Sequence, residues 1–267
     1  MEHYYLLSKK IRRSILDIIY KTKSPHIGSS FSSVEILVSL YFKVLTASPE
    51  DPFNPNRDRF ILSKGHACPA FYAVLAERGF LSEEDLKGFA VNGGVLEQHP
   101  SRDVNKGIEV STGSLGHGLS IGVGMALAGK RDKKNYRVYA LLSDGELDEG
   151  SVWEAAMFAS HHGLDNLVAI VDYNKIQALG YTKDIINLEP LSQRWSAFGW
   201  SVKEIDGHNF GQIFEVLASI PFSTGRPNIV IAHTVKGKGV FFMEDKVLWH
   251  YRAPDDEEYQ DALKELS

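Results

Sequence analysis

Short apolar runs of strand length alternate along this chain with longer segments of helical period, and few folds accept that order. The runs are RFIL (59–62), YRVYALL (136–142), NLVAIVD (166–172), GWSVKEI (199–205) and PNIVIA (227–232). Between and around them, helical spacing predicts helices over 3–22, 32–46, 67–79, 82–90, 117–130, 149–162, 209–220 and 256–266. Strands separated by whole helices pair in parallel, so the expected class is α/β, with a doubly wound, mostly parallel sheet and helices on both faces. Ser32 with Glu35, and Ser82 with Asp85, have the spacing of capping boxes that would start two of the helices. No repeat, low-complexity tract or Gly/Ser linker divides the chain. One domain is therefore expected over residues 1–267, including a short C-terminal helical extension.

Composition removes several functions. The formal charge is −5, which provides no basic field for nucleic acid or an anionic membrane surface, so neither is an expected partner. No apolar run approaches the roughly 20 residues that cross a bilayer, and MEHYYLLSKKIRRS lacks the zones of a signal peptide. The expected location is cytoplasmic. Cys68 is the only cysteine, which excludes an internal disulfide and a thiolate metal cluster. Its setting, ACPAFYAVL, reads as core packing, the alternative being a nucleophile without an evident acid-base partner.

In open parallel sheets, ligands gather beyond the carboxyl ends of the strands, where loops and helix N-termini converge. Four predicted strands run into anion- and metal-binding residue types there: RFILS into KGHA, VYALL into SDGE, VAIVD into YNKI, and IVIA into HTVKGKG. Asp144 and Asn174 each follow a strand, and one βαβ crossover between them places both at adjacent strand ends. A carboxylate, an amide oxygen and a backbone carbonyl, which Ile176 is placed to supply, suit a hard divalent cation such as Mg²⁺. Gly145 would let the backbone approach a phosphate, and a helix beginning near Glu149 would aim its positive end at the same anion. For an isolated Asp-Gly-Glu the competing reading is that Asp144 and Glu146 cap a helix. Pairing with Asn174 favours the metal.

At these residues the chain resembles the transketolase family. DGELDEGSVWEAAMFASHHGLDNLVAIVDYNKI is similar to the family's thiamine-diphosphate signature. SPHIGSS, DRFILSKGHACPAFYAVLAERGFL, LEQHPSR, STGSLGHG and HTVKGKGVFFMED with WH follow the family's order around it. The resemblance implies the thiamine-diphosphate-binding fold, and it implies that Asp144, Asn174 and the Ile176 carbonyl hold the Mg²⁺ that bridges the cofactor's phosphates. By the same resemblance Gly145, Lys64, His66 and Lys236 would contact the diphosphate or its surroundings. Ser29 would sit near the phosphates, and Gly113, Ser114 and Leu115 would touch the aminopyrimidine, although a Gly-Ser turn alone is only a turn. His26, His66, His99 and His250 would line the reaction channel, polarise the sugar carbonyl and shuttle protons, with His250 also beside the cofactor. Glu149 and Glu154 match acids near a subunit contact that link the cofactors, Glu149 with a catalytic part. A solvated helix face is the rival reading for them. His161 and His162 fall outside the set.

The pattern departs from the family at Ser143, where Gly is usual, and at His117, where Gln is common. The family's pyrimidine-binding half, with its cofactor-activating glutamate and sugar-phosphate arginines, has no counterpart in these residues. The resemblance therefore implies a split enzyme. Its C-terminal partner subunit would carry the pyrimidine domain, two such pairs would form a heterotetramer, and sugars or sugar phosphates would be the substrates of a two-carbon ketol transfer. Xylulose-phosphate synthase and the oxo-acid dehydrogenase alpha subunit share cofactor and fold, but SKGHA and WH favour transketolase. GMALAGKR (124–131) approaches a nucleotide-binding loop, but Arg131 stands where Ser or Thr is needed and no strand precedes it. A non-catalytic paralogue is the remaining alternative.

Overall fold

The computed structural model describes residues 1–267 and contains one five-stranded sheet, wholly parallel. Its strands are β1 Arg59–Leu62, β2 Val138–Ser143, β3 Leu167–Tyr173, β4 Ser201–Asp206 and β5 Asn228–His233, in the order β1-β2-β3-β5-β4. Side chains alternate along each central strand. In β2, Val138, Ala140 and Leu142 face one core while Tyr139 and Leu141 face the other. The first core packs under α6 (Gly118–Arg131), α7 (Gly150–His161) and α9 (Leu191–Ala197). The second packs under α1 (Glu2–Thr22), α2 (Ile27–Ser32), α3 (Val34–Ser39), α4 (Cys68–Arg78) and α10 (Phe210–Ala218). Two short helices, α5 (Glu83–Lys87) and α8 (Thr182–Ile185), and the terminal α11 (Asp256–Glu265) complete the set, with α11 docked on α1 through stacked Tyr20 and Tyr259 rings.

The strand order has a functional consequence. The chain steps one way from β1 through β2 to β3, passes over a place to β4, then returns to insert β5. Right-handed crossovers in opposite directions put their helices on opposite faces, so the loops leaving β3 and β5 part there and open a crevice at the carboxyl edge.

Several expected boundaries are corrected. The helix expected over 32–46 is broken into α2, α3 and a π turn at Leu40–Val44. Its proposed capping box does not form: Ser32 Oγ donates to Asp172 Oδ2 at 2.6 Å, and the Glu35 carboxylate takes both Arg12 guanidinium nitrogens, at 2.6 and 2.7 Å. The box at Ser82 and Asp85 does form and starts α5, which is shorter than expected. The helix expected from 149 begins at Gly150, after a 3₁₀ turn at Gly145–Asp148, and α8 and α9 add two helices between β3 and β4 that the helical spacing does not predict. Cys68 is fully buried, and burial raises its thiol pKa well above the usual range, which fits core packing.

Candidate active site

The loops leaving the strands enclose a cavity of about 430 Å³ at the carboxyl edge. Its wall carries His26, Ser29, His66, His99, Gly113, Leu115, Asp144, Gly145, Asn174, Ile176 and His250, drawn from segments far apart in the chain. Ser143, where the family usually has Gly, joins them, as do Gln177, Ala178 and Tyr251, which no sequence motif marks.

Beneath this wall lies a buried ionic layer. The Lys64 ammonium, wholly enclosed, pairs with Asp172 at the end of β3 and donates to the Ser29 carbonyl at 3.0 Å. Asp172 also accepts from Thr234 and Ser32, and Asn174 Nδ2 reaches it at 3.4 Å. Burial alone would raise the Asp172 carboxyl, but the Lys64 charge and these hydrogen bonds outweigh it and keep the group ionised. Lys236, equally enclosed, donates to Ser29 Oγ at 3.2 Å, to the Ile176 carbonyl at 3.0 Å and towards His250 Nδ1 at 2.9 Å. Both lysines thus sit in the floor of the cavity and not on its wall.

Asp144 differs from Asp172. Its oxygens accept backbone N–H groups only, from Gly145 at 2.8 Å and from Lys175, and no ammonium or guanidinium bonds to it. Burial, and next the negative charge of Asp172, raise its carboxyl. A cation is what that environment calls for, and Asp144, Asn174 Oδ1 and the Ile176 carbonyl offer an all-oxygen donor set to one. The Ile176 carbonyl already accepts a cationic group, the Lys236 ammonium, at 3.0 Å. The residues present fit Mg²⁺. They also fit a diphosphate beside it, although a Cβ on Gly145 would lie 2.9 Å from the Gln177 side chain, so that space is taken by Gln177.

The histidines cluster. Ring centroids of His26 and His66 are 5.1 Å apart, those of His26 and His250 5.3 Å, and those of His66 and His250 5.8 Å. His26 holds φ 75°, a left-handed conformation that costs free energy for a non-glycine residue, while its N–H donates to the His250 carbonyl at 3.0 Å. Burial first, and then the positive charge of neighbouring groups, lowers His26 to about 4 and His250 to about 3, and takes His66 well below the usual imidazole value. All three are neutral at pH 7. Gly113 adopts φ 148° with the His99 ring where a Cβ would stand, at 2.9 Å, so the turn and the fourth histidine require each other.

Other expected site residues lie elsewhere. Ser114 is exposed and off the cavity wall, and Glu149 and Glu154 are exposed at the start of α7. The N-terminus of α7 does not reach the wall, because the Gly145–Asp148 turn intervenes, so the expected helix-dipole contact with the anion is corrected. The buried acid of that region is Glu146, which accepts from Ser63 Oγ and from the backbone N–H groups of Gly116 at 2.9 Å and Ser143 at 3.2 Å. It ties the 113–116 turn to β1 and β2.

A parallel α/β domain that gathers oxygen donors, buried lysines and neutral histidines at its carboxyl edge has the arrangement in which open α/β sheets bind their ligands. The chain belongs to the transketolase family: the family model described as "Transketolase, thiamine diphosphate binding domain" matches residues 5–266. It is 44% identical over 267 residues to an apulose-4-phosphate transketolase subunit from Phocaeicola vulgatus, covering 100% of this chain and 95% of that one. It is 43% identical to the 6-deoxy-6-sulfo-D-fructose transketolase subunit SqwG of a Clostridium species, covering 96% and 93%. Human transketolase is 41% identical over 244 residues, but only 38% of its length is matched. The crystal structure of Campylobacter jejuni transketolase superposes with a TM-score of 0.92 at 30% identity, covering 100% of this chain and 43% of that one. No helix is long and apolar enough to cross a membrane.

Proposed function

We propose that the chain is the N-terminal subunit of a two-chain, thiamine-diphosphate- and Mg²⁺-dependent transketolase that acts in the cytoplasm and moves a two-carbon ketol unit from a ketose to an aldehyde. The observation that supports this reading is that Asp144, Asn174 and Ile176 line one cavity together with His26, His66 and His250. Asp144, Asn174 and Ile176 would hold the metal. Ser29, His66, Gly145 and His250 would face the diphosphate, over the buried charges of Lys64 and Lys236, and Gly113 to Leu115 would contact the ring. When bound, thiamine diphosphate supplies the carbon nucleophile and the electron sink.

The protein's own contribution is proton handling and positioning. His250 Nδ1 accepts from Lys236 Nζ, which leaves Nε2–H as the proton it can donate to a sugar oxygen. His26 and His66, uncharged beside it, can take a proton from a substrate hydroxyl or return one to a carbonyl oxygen as a carbon–carbon bond breaks or forms. His99 would act at the outer wall. Glu149 and Glu154 are assigned to a subunit contact because both are exposed beside the signature turn.

A separate C-terminal subunit is supported by the nearly full-length match to proteins named as subunits and the 38% match to human transketolase; that it bears the pyrimidine domain and that two such pairs form a heterotetramer are part of the proposal. The names of those relatives suggest a sugar carrying a phosphate or another anionic group. The test is titration of thiamine diphosphate into the chain mixed with such a subunit. Stoichiometric uptake in Mg²⁺, none in EDTA, and loss of uptake in Asp144→Ala at an unchanged melting temperature are expected. Uptake indifferent to Mg²⁺ and to Asp144 would overturn the proposal.

A further inference from the structure

Lys236 reaches the cavity floor on a loop, and something must hold that loop against its own freedom. The support comes from below, from a buried charged chain that no site motif includes. Arg12 on α1 grips Glu35 on α3 with two hydrogen bonds, and its second nitrogen also donates to the Phe31 carbonyl at 3.0 Å. The Glu35 carboxylate is 2.8 Å from His208 Nδ1, and the Val235 N–H donates to His208 Nε2 at 2.9 Å. Because Nε2 accepts, it carries no proton. Nδ1 therefore holds the only ring proton and donates it to Glu35. Burial tends to raise the Glu35 carboxyl, yet Arg12 and His208 hold it at about 2, so the acceptor is a full carboxylate.

The same turn is fixed from two further sides. A Cβ on Gly207 would lie 2.4 Å from Thr234 Cγ2, so the loop after β4 fits against the loop after β5 only with glycine there. A Cβ on Gly239 would meet Arg12 Cδ at 3.0 Å, which places the guanidinium stem under the far end of the same loop. Val235 precedes Lys236 directly, so the direction of its N–H sets where the Lys236 backbone leaves β5.

We propose that His208 is a positioning residue: through the relay Arg12–Glu35–His208–Val235 N–H it fixes the loop that delivers the Lys236 ammonium to Ser29, the Ile176 carbonyl and His250. His208 touches neither substrate nor cofactor. It acts by presenting one unprotonated ring nitrogen to one backbone amide, and Glu35 keeps the ring in that tautomer.

Two substitutions separate this role from simple packing. His208→Gln keeps an acceptor oxygen at the reach of Nε2, whereas His208→Asn keeps a donor towards Glu35 but falls short of Val235. Hydrogen exchange of the full chain, resolved at Val235 and Lys236, should quicken about tenfold in the Asn variant and stay near wild type in the Gln variant. Thiamine diphosphate affinity in Mg²⁺ with the partner subunit should weaken about tenfold in the Asn variant alone, the factor expected when one buried hydrogen bond is lost. Equal protection at Val235 in both variants, or equal loss in both, would overturn the relay. The cofactor arm rests on the function proposed above, whereas the amide arm does not: a wild-type chain that ignores the cofactor but shows the exchange contrast would leave the relay standing and remove the function.

Discussion

The two edges of the sheet bury polar side chains in opposite ways. At the amino edge, Asn228 makes three bonds, all to backbone: Nδ2 donates to Asp165 O at 2.9 Å and Leu167 O at 3.1 Å, and Oδ1 accepts from Phe222 N at 2.8 Å. Asp58 there accepts the backbone N–H groups of Arg137 at 2.8 Å and Thr46 at 3.1 Å. Each group is satisfied and ties a loop to a strand. At the carboxyl edge, two carboxylates and two ammonium groups face one another, and one carboxylate, Asp144, bonds to no cationic side chain. The first edge satisfies its polar groups with backbone, whereas the second sets charge against charge.

That contrast can be broken most sharply at Lys64. Lys64→Met strips Asp172 of its buried counter-ion, and the expected loss is about 3–5 kcal/mol in urea unfolding, because an unpaired buried charge is the costly case. A loss below the resolution of the measurement would mean that the carboxyl-edge charges do not depend on one another. Asn228→Ala is next, at about 2–3 kcal/mol for three orphaned backbone groups. It should leave thiamine diphosphate affinity untouched, and a change in affinity would erase the division between the edges.

The pH response sharpens the comparison with a smaller effect. His26 and His250 are held at about 4 and about 3 in the fold against 6.5 in the open chain, so between those values the unfolded state binds more protons. Their stabilising contribution is full above pH 6.5 and is lost as the pH falls towards 3. A melting temperature that declines by several degrees across that window, with a shallower decline in His26→Gln, is expected in calorimetry. Identical curves for the two proteins would remove the histidine cluster from the explanation.

Much of the carboxyl edge was legible because its residues follow strands directly. Apolar runs marked the five strands to within a few residues, and Asp144, Asn174, Lys64 and Lys236 stand at or just past their ends. What the sequence did not reveal are the bonds that cross it. Lys64 finds Asp172 over a separation of 108 residues, and nothing in VAIVDY separates a buried counter-ion from an ordinary strand end. Glu146, read as a possible helix cap, instead holds the 113–116 turn. Glu35 had capping-box spacing with Ser32, but Arg12 and Asp172 offered both side chains stronger partners. Helix α9 leaves no legible period in the sequence, because only Leu191 and Trp195 of its residues are buried.

The central claim is that one divalent cation joins Asp144, Asn174 and Ile176 beneath a diphosphate. Its most direct test is a crystal of the assembled enzyme grown with thiamine diphosphate and Mn²⁺, read by anomalous scattering. A single peak within bonding distance of the Asp144 carboxylate, Asn174 Oδ1 and the Ile176 carbonyl is the predicted result. Bound cofactor with its ion elsewhere would contradict it.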